Sequence, residues 1–178
     1  MLKTIILLTD TVQQQQPLAN LLREHHRELA FCSALRASDL SAIDPDVLSQ
    51  ARLVSFANDV AVSEKFLLQL GYGAYKFYAA PVQYPGLPPA PDESDEDPRC
   101  YSVIAQSMTI WPDFKKVVGL ETVTIPDGTV PAERERLVFS RLAHLFWQMS
   151  GMIAGEAMDL PGIIGSSESQ RPTLAMMN

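Results

Sequence analysis

Lys76 and Tyr78, in the stretch "GYGAYKFYAAPVQYPG" (residues 71–86), are side chains that could carry out chemistry. A buried lysine with a depressed pKa can act as a nucleophilic amine, and a tyrosine phenol can donate a hydrogen bond to an oxyanion. Asp113 in "PDFKK" could join Lys76 as an acid–base couple. We therefore treat Lys76, Tyr78 and Asp113 as the candidate catalytic residues.

Each candidate also has a structural explanation. A lysine at the carboxyl end of a strand is commonly solvated or ion-paired, and a tyrosine among tyrosines and prolines commonly packs its ring. "PDFKK" has plain turn composition. His25 and His26 are adjacent and point about 100° apart on a helix, without a third ligand nearby, so no metal site is predicted.

The elements that must position these residues alternate between strand and helix. Apolar runs predict strands at 3–10, 28–35, 52–59 and 74–80. Helical patterns separate them, one starting at Pro17, a short one capped by Ser38 or Asp44, and one with Ser63 at its N-cap. This order predicts a doubly wound, Rossmann-like open α/β sheet.

Polar residues follow two of these predicted strands. Asp10, Asn58 and Asp59 stand at strand ends, where doubly wound sheets place ligand-binding residues. Ordinary turn chemistry explains them equally well.

The pattern changes after Pro81. Residues 87–99 predict an acidic, proline-rich loop, because proline denies a helix its hydrogen bonds and the acidic run repels itself. Two strand candidates, "CYSVIAQSMTIW" and "VVGLETVTIP", predict a hairpin-like pair, and Pro131 predicts the start of a helix with Glu133 in its first turn. The expected organisation is one domain over 1–158 and a tail over 159–178.

Charge and composition exclude several functional classes. The net charge of -7 and pI near 4.9 disfavour nucleic-acid binding. The first apolar run is too short for a membrane span, so no membrane partner is expected. The first apolar run is also too short for a signal-peptide core, which predicts a cytoplasmic protein. Cys32 and Cys100 lack metal-ligand spacing, and disulfides are uncommon in the cytosol, so both are expected to be packed thiols.

Two stretches carry a family resemblance, "LGYGAYKFYAAPVQYPG" (70–86) and "YSVIAQSMTIWPDFKKVVG" (101–119). They resemble the patterns "LGYGAYNFHPGPPxYPG" and "FGVTAHxMxxxVDAGPIVG" of the folate-dependent formyltransferases, which include methionyl-tRNA and glycinamide ribonucleotide formyltransferases and small bacterial formyltransferase-like proteins. The resemblance covers residues 3 to about 150. The matching residues are Gly71, Tyr72, Gly73, Ala74, Tyr75, Phe77, Tyr84, Pro85, Gly86, Met108 and Gly119.

The resemblance implies a catalytic trio of Asn, His and Asp, in which Asn and His stabilise the oxyanion and Asp holds the His. This chain has Lys76, Tyr78 and Asp113 at those positions, so only Asp113 matches. Phe114 replaces an alanine in the turn that admits folate, and an acidic loop opposes an anionic cofactor. We therefore expect a degenerate member with no cofactor and doubtful folate binding.

The resulting expectation is a protein that has lost formyl transfer and acts in binding, regulation or assembly, with a small-molecule ligand in the cleft or a protein partner. The alternative is an enzyme with altered one-carbon or other acyl or amine chemistry that uses Lys76, Tyr78 and Asp113. Retained formyl transfer is the third option.

The last predicted helix bears more apolar surface than one sheet face readily covers. We expect a homodimer through this helix, with the domain's own core as the competing explanation. The apolar stripe comprises Val138, Leu142, Leu145, Phe146, Met149, Met152 and Ile153, with Phe139 and Trp147 beside it.

Overall fold

The computed structural model describes residues 1–81, 100–111, 116–157 and 159–162. The predicted loop at 87–99, Asp113 and the tail from residue 163 lie outside these residues. In chain order the elements are β1 (Thr4–Thr9), α1 (Val12–His25), β2 (Ala30–Ala34), α2 (Ala37–Ser41), α3 (Pro45–Leu48), β3 (Ala51–Phe56), α4 (Glu64–Leu67), β4 (Ala74–Pro81), β5 (Cys100–Ser107), β6 (Val117–Thr124) and α5 (Pro131–Ala154).

The strands form one six-stranded sheet in the order β2-β1-β3-β4-β5-β6. β2, β1, β3 and β4 are parallel, whereas β5 pairs antiparallel with both β4 and β6. The predicted α/β class, the hairpin-like pair and the helix beginning at Pro131 are thereby confirmed.

Helices cover both faces of the sheet. Alternate strand residues point to opposite sides, and both sets are buried in β1 and β3, so each face needs a covering layer. α1 and α5 pack on one face, where Leu22 and Phe146 belong to the same buried cluster as Phe77 of β4. The short helices α2, α3 and α4 pack on the other face through Leu40, Leu48 and Phe66. Within the described residues, no helix has both the length and the hydrophobicity needed to cross a bilayer.

Several predicted boundaries differ from those of the structure, and two of the differences have a clear physical cause. α1 begins at Val12 rather than Pro17, since Gln14 accepts a hydrogen bond from the Thr11 backbone at 3.3 Å and closes a first turn upstream of the proline. β3 ends at Phe56 rather than residue 59, because Ala57 adopts a positive φ of 46° that leaves the extended conformation. The single short helix predicted with Ser38 or Asp44 as its cap is two helices, α2 and α3; Asp44 caps α3, whereas Ser38 lies inside α2. The predicted cap Ser63 is confirmed by a hydrogen bond from the Phe66 backbone.

Three glycines of the family-like stretches are required by the local backbone geometry and packing. A Cβ at Gly71 would lie 1.9 Å from the Ser49 carbonyl oxygen, and Gly73 has a φ of 72°. A Cβ at Gly119 would lie 2.4 Å from Met149 Sδ, so this glycine lets α5 approach β6 closely. These positions demand glycine for backbone geometry and packing rather than for catalysis.

A buried arginine caps the carboxyl end of α5. Arg52 of β3 is 0% exposed and donates hydrogen bonds to the carbonyls of Met152, Ile153, Gly155 and Ala157 at the end of the helix. The negative end of the helix dipole compensates the buried charge. Burial lowers the pKa of the Arg52 guanidinium.

The apolar stripe of α5 is largely the domain's own core. Leu142, Leu145, Phe146, Met149 and Ile153 are buried. Phe139, Trp147 and Met152 remain 42%, 55% and 43% exposed. Core packing therefore explains most of the stripe, and the homodimer rests on the exposed remainder.

Candidate functional site

The carboxyl ends of β1 and β3 meet through their polar residues. Asn58, which is buried, donates from Nδ2 to Asp10 Oδ1 at 2.9 Å and accepts from the Val60 backbone at 2.7 Å. Asn58 therefore fixes the turn after β3, with the strained backbone of Ala57 immediately before it. Asp59 leaves this turn with its carboxylate in solvent.

Lys76 lies on β4 and reaches back toward this turn. Its Nζ lies 3.4 Å from Asp59 Oδ1, with 29% of the lysine side chain exposed. The ammonium also lies 5.7 Å from the centre of the Tyr78 ring. The lysine is thus engaged by an exposed ion pair and by an aromatic face.

Tyr78 lies two residues along the same strand, on the same face as Lys76. Its Oη donates to Gln106 Oε1 of β5 at 3.2 Å, a diagonal contact because Gln106 is directly opposite Lys76. Burial raises the pKa of the Tyr78 phenol. The phenol is therefore held protonated and already has an acceptor.

The structure brings Lys76 and Tyr78 together, whereas Asp113 lies outside the described residues. Convergence of the three candidates stays a prediction.

A cavity of about 310 Å³ opens at the carboxyl edge of the sheet, beneath the start of α5. Its walls are mainly apolar and include Tyr78, Tyr101, Phe139 and Leu142. The Phe139 ring is fixed edge-to-face against Phe56, with centroids 5.8 Å apart. A cavity of this size and lining suits a small, largely apolar ligand.

Three charged residues also line this cavity. Asp59 lines it from the turn after β3, and Arg134 and Glu135 line it from the first turns of α5. Among the described residues, no three His, Cys, Asp or Glu side chains form a group that could hold a metal ion. The turn after β1 has no glycine to admit a phosphate to the backbone.

Sequence reasoning identified Asn58, Asp59 and Tyr78 but missed the α5 side of the cavity. Phe139 stood beside the apolar stripe of the last predicted helix, and Tyr101 lay in a predicted strand without being singled out. Only the packing of α5 over β4 and β5 brings them to the strand ends. A phenylalanine just outside the helix stripe was the one available signal.

Solved structures share this fold. The chain superimposes on a 4-N formyltransferase from Francisella tularensis with a TM-score of 0.57 and 13% identity, over 83% of this chain and 67% of the other. A formyltetrahydrofolate deformylase from Pseudomonas putida gives a TM-score of 0.54 and 11% identity, over 84% and 64%. The chain spans about two thirds of the length of each protein.

No protein-family profile matches the chain, and no curated protein matches it in sequence. At 11–13% identity the structural likeness establishes the formyltransferase-like fold alone.

Proposed function

We propose that this protein is a degenerate formyltransferase-like domain that has lost formyl transfer and binds a small ligand at the carboxyl edge of its sheet. One observation supports the loss of formyl transfer: Lys76 pairs with Asp59, and Tyr78 donates a hydrogen bond to Gln106. Lys76 and Tyr78 stand at the two positions where the family has its oxyanion-stabilising Asn and His. Loss of one oxyanion donor typically lowers turnover by ~10²- to 10³-fold, and here both residue types differ.

The apolar cavity supports the binding role. Tyr78 and Asp59, the ion-pair partner of Lys76, line it, and its size is that of a small-molecule site. Tyr78 belongs both to the cavity wall and to the candidate catalytic set. Ligand binding there requires neither folate nor Asp113.

Catalysis is tested by incubating the full chain with 10-formyltetrahydrofolate and small primary amines while tetrahydrofolate release is followed. We expect no turnover above the protein-free rate. Turnover abolished by Lys76→Ala or Tyr78→Phe would overturn the loss of catalysis and favour chemistry by the altered residues. The same assay on the Lys76→Asn, Tyr78→His double variant asks whether the two substitutions are sufficient to restore activity.

Binding is tested separately by thermal shift and ligand-detected NMR with a set of small aromatic and aliphatic compounds. Ala79 lines the cavity, so Ala79→Phe should fill it and remove the stabilisation that binding compounds give. Leu68→Phe, at a 69% exposed position elsewhere, should leave it intact. Equal stabilisation of the Ala79→Phe variant would exclude this cavity as the site.

A further inference from the structure

The two edges of the sheet differ in how they are protected. β2, at one edge, is five residues long. β6, at the other, is eight residues long and pairs with β5 on one side. On its second side, the part of the chain that the structure describes contributes no strand. A long free edge presents a row of backbone donors and acceptors that pairs readily with another strand.

β6 carries few of the features that usually keep an edge from pairing, apart from one register shift against β5 near its start. Residues Val117–Thr124 contain no lysine and no proline. Glu121, the one charged residue, points toward α5, where it contacts Arg141 at 3.3 Å and His144 at 3.0 Å. Leu120 is 49% exposed on the opposite face. Apart from this ion-paired carboxylate, the edge is therefore uncharged and partly apolar.

The chain following α5 reaches the start of this edge, where Asp159 pairs with Lys116, but it is a poor occupant for the rest of the strand. α1 lies on the same face as α5 and joins β1 to β2, on the side of β1 away from β3. β6 runs parallel to β1, since two antiparallel pairings separate it from β4. If β6, α5 and a following strand formed a crossover with the same handedness as β1–α1–β2, that strand would lie on the β5 side of β6. β5 already occupies this position.

We propose that the free edge of β6 pairs with β6 of a second copy of this chain, antiparallel about a two-fold axis, to form a continuous twelve-stranded sheet. An isologous contact needs one self-complementary surface, and a single strand whose one carboxylate is ion-paired supplies it. The register that buries the most exposed apolar side chain places Leu120 opposite the partner's Leu120.

The exposed side of α5 that lies over β6, which we call the α5 margin, extends this interface and comprises Arg141, His144 and Trp147. Arg141 and His144 lie over β6 because both contact Glu121. Trp147, 55% exposed, lies against His144 with ring centroids 5.7 Å apart. The two-fold axis brings the margins of both α5 helices together on one face while the leucines meet on the other.

Light scattering after size exclusion tests the proposal on the full chain. We expect a dimer in the micromolar range, a monomer for Leu120→Lys, and an unchanged dimer for Leu68→Lys, a matched exposed leucine. A mixture of Leu120→Lys and Leu120→Glu chains should re-form a dimer, since the two side chains would face each other across the axis.

Three results would overturn it. The first is a monomeric wild type near 19.7 kDa, and the second is a dimer that survives both charged substitutions. The third is protection of β6 amides from hydrogen exchange that is independent of concentration and lost when residues 163–178 are removed. That result would assign the edge to the chain's own tail.

Discussion

At the residue scale, the side chains that determine this structure are not those the sequence marks for chemistry. Arg52 looks like the single charged residue of an apolar strand, yet it is completely buried and bonded only to carbonyl oxygens. Its Nε donates to the Tyr72 carbonyl at 2.9 Å, while its other donors terminate α5. This arginine therefore joins β3, the turn before β4 and the end of the last helix.

Replacing Arg52 should destabilise the fold strongly. Arg52→Met leaves the α5 carbonyls without their donor, and we expect the free energy of unfolding to fall by about 2–4 kcal/mol. Arg27→Met, at an exposed arginine, should change it by less than about 0.5 kcal/mol. Urea unfolding followed by circular dichroism measures both. Equal effects of the two substitutions would show that the carbonyls gain nothing from Arg52.

The buried phenols predict an alkaline limit to stability. Burial raises the pKa values of Tyr75 and Tyr78, so both stay protonated in the fold at pH values where the unfolded chain ionises. Their contribution is present below about pH 10 and is lost as the pH rises further. Tyrosinate absorbance should therefore appear late in the folded protein, and Tyr78→Phe should shrink this late phase. A single phase matching the denatured chain would contradict the assignment.

At the element scale, alternation of apolar runs was sufficient to predict all six strands and the position of α5. The start of α1 was missed because a proline within a helix resembles a helix start, although it is tolerated here at position 17. The cavity was missed for a different reason. Its α5 wall depends on the crossing of α5 over β4 and β5, which no local pattern encodes.

Replacing two of the glycines by alanine should change the stability of the fold in opposite directions. Gly71→Ala forces a Cβ against the Ser49 carbonyl and should destabilise by about 2 kcal/mol or more. Gly151→Ala lies within α5, where the new Cβ would meet only His25 at an ordinary 3.4 Å, and should stabilise by roughly 0.5–1 kcal/mol. Thermal melts report both, and destabilisation by the Gly151 substitution would mean that His25 cannot adjust.

At the scale of the whole molecule, the family-like residues and the departures from the family have separate physical roles. Gly71, Gly73 and Gly119 keep the strands and α5 in place. Lys76 and Tyr78 differ from the family pattern without disturbing that frame, since they alternate along β4 with Tyr75 and Phe77, which belong to the core that packs against α5. A fold can thus persist while residues at its site change. The sequence resemblance predicted the architecture, which the structure confirms, whereas the activity stays a prediction.

The exposed Trp147 provides the whole-molecule prediction. In the proposed two-fold assembly it lies at the margin where the two α5 helices approach, so Trp147→Glu should weaken dimerisation at least about ten-fold by placing a charge in that margin. Trp111→Glu, at a 62% exposed tryptophan away from α5, is the matched control and should leave dimerisation unchanged. Sedimentation equilibrium gives both dissociation constants, and circular dichroism checks that each variant is folded. Equal weakening by both substitutions would trace the effect to net charge, because the chain is already acidic at -7, and would remove α5 from the interface.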